Sequence, residues 1–183
     1  MDEAALPTAR EVVDFWRDAG YAKWFNGGED FDALCRERFH DAHMAAARHE
    51  LDAWLDDARG ALALQLLLDQ IPRNIFRGSG HAFATDGLAL DFARQALDRG
   101  LDAQVEPELR QFMYMAFEHS EALADQERSV ELFEALGNER PLDYARRHHE
   151  VIVRFGRFPH RNRALGRHST AQEQAWLDAG GGF

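Results

Sequence analysis

The sequence predicts a single domain built entirely of α-helices. Apolar residues recur at helical spacing through most of the 183 residues, and glycine or proline separates one such stretch from the next. No segment shows the alternation of apolar and polar residues, rich in valine, isoleucine and threonine, that is typical of strands. A hydrophobic fraction of 45% suffices for a substantial core. We therefore expect about eight or nine helices, joined by short loops, in one domain over residues 1–183.

Four helices are predicted in the first half of the chain. Thr8 is a suitable N-cap for the first helix, and Gly20 is its predicted end. Asp30 is a suitable cap for the second helix, and the stretch ELDAWLDDARG continues the helical spacing as the third. The fourth stretch, ALALQLLLDQ, is apolar on nearly every side, and Pro72 follows it. It is therefore predicted as the buried central helix of the domain, bent or ended near the proline.

Further helices fill the second half of the chain, and the same kinds of signal mark their boundaries. A serine or threonine precedes an apolar stripe, a proline stands at a first helical position, or a glycine follows the last apolar residue. In chain order these residues are Thr85, Gly100, Pro107, Gly137, Pro141 and either Ser169 or Thr170. Residues 179–183, AGGGF, are predicted to form a flexible end.

Composition argues against several classes of protein. The formal net charge is -11, and nucleic-acid binding needs a basic face to neutralise phosphates. The single cysteine, Cys35, cannot form an internal disulfide, which fits a reducing compartment. No apolar stretch approaches the roughly 20 residues of a membrane span, and the N-terminus lacks the pattern of a signal peptide. We therefore expect a cytoplasmic protein with no nucleic-acid partner and no membrane span.

Several polar residues interrupt apolar helix faces and are candidates for a site. Asp69 lies in the most apolar stretch, and Arg73, four residues later, can neutralise it as a structural ion pair or within a binding site. His119 follows an apolar helix at a junction where a helix cap explains the polar residues equally well. Gln126 and His148 lie on apolar stripes of later helices and are predicted to point inward. A lone histidine on such a stripe is usually a satisfied core residue.

A short turn in the last third of the chain concentrates positive charge. The stretch RFGRFPHRN, residues 154–162, holds three arginines, a histidine and an asparagine, and no acidic residue falls between Val151 and Ala171. Gly156 and Pro159 restrict the turn, so that its side chains project from a rigid backbone. Arginine forks bind carboxylate or phosphate bidentately, and histidine exchanges protons near neutral pH. The turn is therefore a candidate for binding an anion.

Taken together, these motifs resemble those of the bacterial domain-of-unknown-function family 924. The resemblance rests on DFW, KWF, LLLDQIPRNIFRG, AFATD, EHSEALADQERSVELF, RFGRFPHRN and LGRHST, which follow the family's order and cover nearly the whole chain. It implies an all-α, tetratricopeptide-like fold, a single right-handed superhelical array of antiparallel helix pairs, and no established activity. Two residues depart from the family's pattern. Ile71 stands where the family usually has phenylalanine, and Glu118 stands where it usually has methionine.

Three classes of function are compatible with this sequence, and whether the protein is an enzyme stays open. The first is a site for an anionic small molecule, a phosphate or a carboxylate, with acid–base chemistry as an option. The second is a peptide- or protein-binding scaffold, whose motif residues form a structural polar network. For the first class, the candidate catalytic residues are His119, His148 and His160. The candidate ligand-binding residues are Asp69, Arg73, Arg77, Glu121, Arg154, Arg157, Arg161 and Asn162.

A metal enzyme is the third class. His119, Glu121, His148 and Asp69 are of the types that first-row metals favour. The sequence has no HExxH motif or comparable pair at helical spacing, and the nearby arginines would repel a cation. We therefore expect no stoichiometric metal and no other cofactor.

Overall fold

A computed structural model describes residues 5–183, and within this range the chain is helical and contains no strand. The all-α class is therefore confirmed. The α-helices are α1 (Ala9–Asn26), α2 (Gly28–Ala47), α3 (Ala58–Gln65), α4 (Ile71–Ile75), α5 (Asp86–Asp98), α6 (Pro107–Glu118), α7 (Leu123–Leu136), α8 (Glu139–Phe155) and α9 (Ala171–Asp178). Short 3₁₀ turns connect several of them. None of the helices between residues 5 and 183 combines the length and the apolarity needed to cross a bilayer.

The beginning of α1 and a break at Gly20 are as expected, and a further helical segment follows the break. Thr8 forms a capping box with Glu11, since each side chain bonds the other residue's backbone N–H. Gly20 was predicted to end the helix, and the regular helical geometry does stop there. Gly20 adopts φ 71°, which kinks the chain, and the helix then resumes to Asn26. Trp24 in the resumed turn is buried and donates its indole N–H to the carbonyl of Trp16, so packing continues past the glycine.

The predicted third helix is shorter than its spacing suggested. Residues 48–57 form a turn and the 3₁₀ helix Asp52–Asp56, and α3 begins at Ala58 with Asp57 as its N-cap. Gly60 explains part of this arrangement, because a Cβ there would lie 1.9 Å from the carbonyl oxygen of Trp54. The close approach of the two backbones therefore requires glycine and separates the 3₁₀ turn from α3.

The central helix is buried, as its apolar circumference predicts. Residues 60–72 are all buried, from α3 through the π-helical turn Leu66–Gln70 into α4. Pro72 interrupts the helical hydrogen-bond pattern without ending the helix. It has no N–H to donate to the carbonyl of Leu68, four residues earlier, and the hydroxyl of Thr85 donates to that carbonyl instead. Thr85 precedes α5, but its side chain makes no capping bond there.

The described residues form two compact units. The first extends to Arg77 and includes His81–Ala116, and its core holds Trp16, Phe39, Phe112 and the central helix. The second comprises Gly78–Gly80 and Phe117–Phe183. In the second unit α7 packs along α8, and Val151, Ile152 and Phe158 form a small core beside Phe155 and Trp176.

Candidate functional site

In the first unit, the predicted ion pair between Asp69 and Arg73 is present. A guanidinium nitrogen of Arg73 lies 3.2 Å from a carboxylate oxygen of Asp69, whose side chain is fully buried. Arg73 also forms a two-pronged pair with Asp86, at 2.8 and 3.0 Å. The amide of Gln70 donates to the second Asp69 oxygen at 2.6 Å. One guanidinium therefore serves two carboxylates at the π-helical turn.

Arg77 of the first unit is also bound to a carboxylate. Its guanidinium donates to both oxygens of Asp32, at 2.6 and 2.8 Å, and Asn74 donates to the same carboxylate at 2.8 Å. The hydrogen bonds from Arg77 are the largest influence on Asp32, and the pKa of Asp32 lies below its usual value. These predicted ligand-binding residues thus have internal partners that already match their charge.

In the second unit, α8 carries His148 on its buried side with Val151 and Ile152. Arg146 and Arg147 are exposed on the other side. The ring of Tyr144, one turn before His148, is 41% exposed and so does not share the buried side of the helix. Tyr144 contributes its backbone instead, because its carbonyl oxygen lies 2.8 Å from Nδ1 of His148. A carbonyl oxygen only accepts, so Nδ1 carries the proton and Nε2 holds a lone pair.

Basic and aromatic side chains gather around His148. The ring of His119 has its centre 6.0 Å from that of His148, and Phe158 packs edge-on at 5.5 Å. Phe183 stacks on the imidazole at 3.6 Å, and His160 contacts Phe158 and Phe183 at 5.6 and 5.4 Å. The Arg161 guanidinium lies 4.6 Å from the Phe158 ring centre. We name these residues the His148 cluster: His119, His148, Phe158, His160, Arg161 and Phe183.

Burial is the main reason that the pKa of His148 lies well below its usual value. Positive charge at His119, His160 and Arg161 lowers it further, and only the hydrogen bond to Tyr144 acts in the opposite direction. The imidazole is therefore neutral at pH 7. All three predicted catalytic histidines belong to this one cluster.

Two arginine–carboxylate clamps hold the turn at residues 154–162. Arg157 donates to both oxygens of Glu173 on α9, at 2.6 and 2.8 Å, and to the carbonyl of His168. The hydrogen bonds from Arg157 lower the pKa of Glu173 to about 2. Arg167 donates to both oxygens of Glu121, at 2.8 and 3.0 Å. Burial raises the pKa of Glu121, but Arg167, the backbone N–H of Phe158 and the charge of Arg161 together outweigh it, so the net pKa is lowered.

The other predicted residues of the turn differ in exposure. Gly156 ends α8 in the left-handed conformation, at φ 70°. Arg154 is exposed, with its guanidinium 4.7 Å from the Phe155 ring centre. Asn162 is buried and joins the Glu173 clamp, since its amide donates to Ser169 and Glu173 and its oxygen accepts from Arg167. Arg161, at 6% exposure, is the arginine of the turn that belongs to the His148 cluster.

Sequence reasoning missed several participants. Arg167 and Glu173 lie beyond the turn, although the capping box of Thr170 and Glu173 is a recognisable signal for α9. Phe183 was assigned to a flexible end, yet its ring covers His148. Glu118 was set aside as a departure from the family's pattern. It is 4% exposed, and its Oε1 lies 3.4 Å from Nδ1 of His148.

The last residue of α6 and the turn that follows it place Glu118 and His119. Gln126, which is fully buried as predicted, donates its amide to the carbonyls of Glu118 and Ser120 at 2.6 and 2.7 Å. The carbonyls at a helix C-terminus lack helical donors, so this amide caps α6. One ligand atom from each of Glu118, His119 and His148 lies within 4.8 Å of the other two. The structure thus brings together a carboxylate and two imidazoles that are spread over α6 and α8.

Comparisons with known proteins agree with the motifs. A family model described as bacterial protein of unknown function (DUF924) matches residues 12–181. No curated protein matches the chain. The chain is 49% identical to a protein of unknown function from Agrobacterium tumefaciens whose structure is solved, with a TM-score of 0.90. That match covers 93% of this chain and 97% of the other. Because the family model spans nearly all of its length, the chain belongs to the DUF924 family of bacterial proteins.

Proposed function

We propose that this protein binds a compact anionic small molecule, a phosphate or a carboxylate, at the His148 cluster. The observation that carries the proposal is the gathering of His119, His160 and Arg161 around a buried imidazole. Each of these three groups can carry positive charge, and together they act on His148 electrostatically. Such a concentration of basic groups favours an anionic ligand, most strongly where burial lowers the local dielectric.

Arg161 supplies the recognition group in this proposal. An arginine fork matches the two oxygens of a carboxylate or phosphate, and the low exposure of Arg161 strengthens a charge-assisted bond. Arg73, Arg77 and Arg157 act instead as internal clamps, because each already donates to both oxygens of a carboxylate. Asp69 and Asn162 belong to those clamps, and Glu121 belongs to the clamp of Arg167, so all three hold the scaffold.

The histidines give the site its chemistry. Since Nδ1 of His148 donates to the carbonyl of Tyr144, Nε2 presents a lone pair that can bind a proton or another electrophile. His119 and His160 are each partly exposed, so they can exchange protons with solvent. This arrangement suits proton transfer to or from a bound anion.

A thermal-shift titration tests the proposal. The metal-free protein, kept in EDTA, is titrated with inorganic phosphate, succinate and AMP in a buffer of constant ionic strength. At a ligand concentration of about 100 Kd, native-state binding adds about 2.7 kcal/mol, which raises the Tm by roughly 5–10 °C for a chain of this size. We expect this rise from at least one of the three anions.

Variants show whether the binding is at the His148 cluster. Arg161→Met and His160→Gln are expected to fold and to lose the ligand-induced rise, whereas His168→Gln, at an exposed histidine of the same unit, retains it. A rise that is equal in all four proteins would mean that the anion binds elsewhere. No rise with any anion would overturn the proposal. It would favour a peptide-binding scaffold of the tetratricopeptide-like superhelical class, the arrangement that the family resemblance implies.

A further inference from the structure

Glu118, His119 and His148 form the group that the proposed function leaves unexplained. A buried carboxylate would repel a bound anion, yet Glu118 is 4% exposed and lies in contact with His148. One ligand atom from each of the three residues lies within 4.8 Å of the other two. Metal-bound nitrogen and oxygen atoms at bonds of about 2.1 Å are roughly 3.4 Å apart in a tetrahedral site, so modest side-chain rotation closes the group.

The orientation of His148 suits a metal ligand. A histidine that binds metal through one nitrogen usually donates its other N–H to a carbonyl or a carboxylate, which sets the tautomer and the direction of the ring. Nδ1 of His148 has such a partner in the Tyr144 carbonyl at 2.8 Å. The proton is therefore on Nδ1, and the lone pair of Nε2 is available.

The other two ligands sit on a braced backbone with an access route. The amide of Gln126 holds the carbonyls of Glu118 and Ser120, which flank His119. His119 is partly exposed, whereas Glu118 and His148 are buried. A site with two buried ligands and one ligand at the surface allows an ion to enter and leaves a coordination position open to solvent.

We infer that Glu118, His119 and His148 bind one divalent transition-metal ion, with Zn²⁺ as the best match. Two imidazoles and one carboxylate with an open position are the ligand set of catalytic zinc sites, and the same set suits Fe²⁺. This inference deepens the proposed function, because the open position would receive an oxygen of the anion. Proton transfer then falls to His160, since the lone pair of His148 is used by the metal.

The charges of the site are compatible with the ion. The sequence predicts no metal because the arginines repel a cation. Glu118 supplies one negative charge from within the group, and a bound anion between the metal and Arg161 supplies more. Because Glu118 stands where the family usually has methionine, the metal site is a property of this chain and of relatives that share the glutamate.

Metal titration in the absence of any added anion tests the inference. Protein stripped with EDTA and exchanged into a phosphate-free buffer is titrated with zinc chloride by calorimetry, and with cobalt chloride by visible absorption. We expect one equivalent to bind with higher affinity than any further ions. Glu118→Gln and Glu118→Met, the second of which installs the family's usual residue, should each weaken that equivalent by more than about tenfold. Glu150→Gln, at an exposed glutamate of α8, should not.

The outcomes separate this inference from the anion proposal. Absence of a high-affinity equivalent, or equal affinity in the wild type and both Glu118 variants, overturns the metal site whatever the anions do. A His148→Gln variant that folds and still binds the ion as tightly as wild type overturns it as well. Anion-induced stabilisation in EDTA belongs to the proposed function alone. Loss of metal binding in Glu118→Met, with the anion response in EDTA intact, supports both.

Discussion

Two buried histidines, one in each unit, resemble one another in burial and hydrogen bonding but differ in surroundings. His43 on α2 is 1% exposed and His148 on α8 is 5% exposed, and in both a carbonyl oxygen lies 2.8 Å from Nδ1. The pKa of each is lowered mainly by burial. For His43 the carbonyl belongs to Leu67 of the central helix, so the imidazole ties two helices together. For His148 it belongs to Tyr144 of the same helix.

The neighbours differ more than the histidines do. Phe76 packs against His43, and the rings of His40 and His81 contact the same phenylalanine. The two motif arginines of this unit, Arg73 and Arg77, are each paired with a carboxylate. Around His148 the basic groups outnumber Glu118. His40 and His81 also lower the pKa of His43, so a gathering of histidines is common to both. His148 differs in having the buried Arg161 and the carboxylate of Glu118 beside it, and this combination is what indicates a site.

The largest effect is expected from breaking the charge balance of the first unit at Arg73. Arg73→Met leaves Asp69 fully buried without its ion pair, which should destabilise the protein by about 3–5 kcal/mol. Urea unfolding followed by circular dichroism measures the change. Arg10→Met is the matched control, because the Arg10–Asp14 pair is exposed and worth less than about 1 kcal/mol. Equal losses in the two variants would mean that the Asp69 network contributes no more to stability than an exposed ion pair.

An intermediate effect is expected from acid at His43. Because its folded pKa is lower than the ordinary value of 6.5, the unfolded chain binds more protons there, so stability is present above pH 6.5 and is lost as the pH falls towards the folded pKa. His43→Leu removes this pH-dependent contribution to stability. The free energy of unfolding of the variant should therefore fall less than that of the wild type between pH 6.5 and pH 5.5, by up to about 1 kcal/mol.

Urea unfolding at the two pH values measures the difference. His168→Gln, at an exposed histidine, serves as the control and should retain the acid sensitivity of the wild type. The same acid sensitivity in His43→Leu would show that other groups govern this pH range. The expected result, a weaker acid sensitivity in His43→Leu, would also separate the packing role of His43 from the ligand chemistry proposed at His148.

The smallest change in stability is expected from Phe183, which covers His148. Its ring is 48% exposed and stacks on the imidazole, so Phe183→Ala should cost only about 0.5 kcal/mol, the lower end for an aromatic pair. The substitution should instead raise the rate at which diethyl pyrocarbonate modifies His148, followed by peptide mass spectrometry. Val153→Ala, at a more exposed residue of α8, should leave that rate unchanged. A rate that does not respond to loss of the ring would show that Phe183 is no barrier to ligands.

Local signals in the sequence were reliable where a single helix decides the outcome. The apolar circumference of ALALQLLLDQ predicted a buried helix, and residues 60–72 are buried. Thr8 and Thr170 cap their helices, and Asp69 pairs with Arg73 one turn later. Gly20 interrupts the first helix as predicted, and a second helical segment then runs to Asn26, with the buried Trp24 bonded back to Trp16.

The candidate site was predicted less completely, because its partners come from separate helices. The turn at residues 154–162 was recognised, but not the carboxylates that neutralise Arg157 and Arg167, since Glu173 and Glu121 lie 16 and 46 residues away from them. The place of Glu118 beside His148 could not be read from spacing either. Glu118 is the last residue of α6 and His119 lies in the turn after it, so only the position of α8 decides whether the two approach His148.

The sequence by itself determined the helical class, most of the helix boundaries, the buried central helix and the identity of the basic turn. These follow from periodicity, capping chemistry and the cost of exposing apolar surface, which act over one or two helical turns. Only the tertiary structure decided which arginines are bound to internal carboxylates and which histidines gather around His148. Charge pairing and convergence depend on distances between side chains that are far apart along the chain, and packing alone sets those distances.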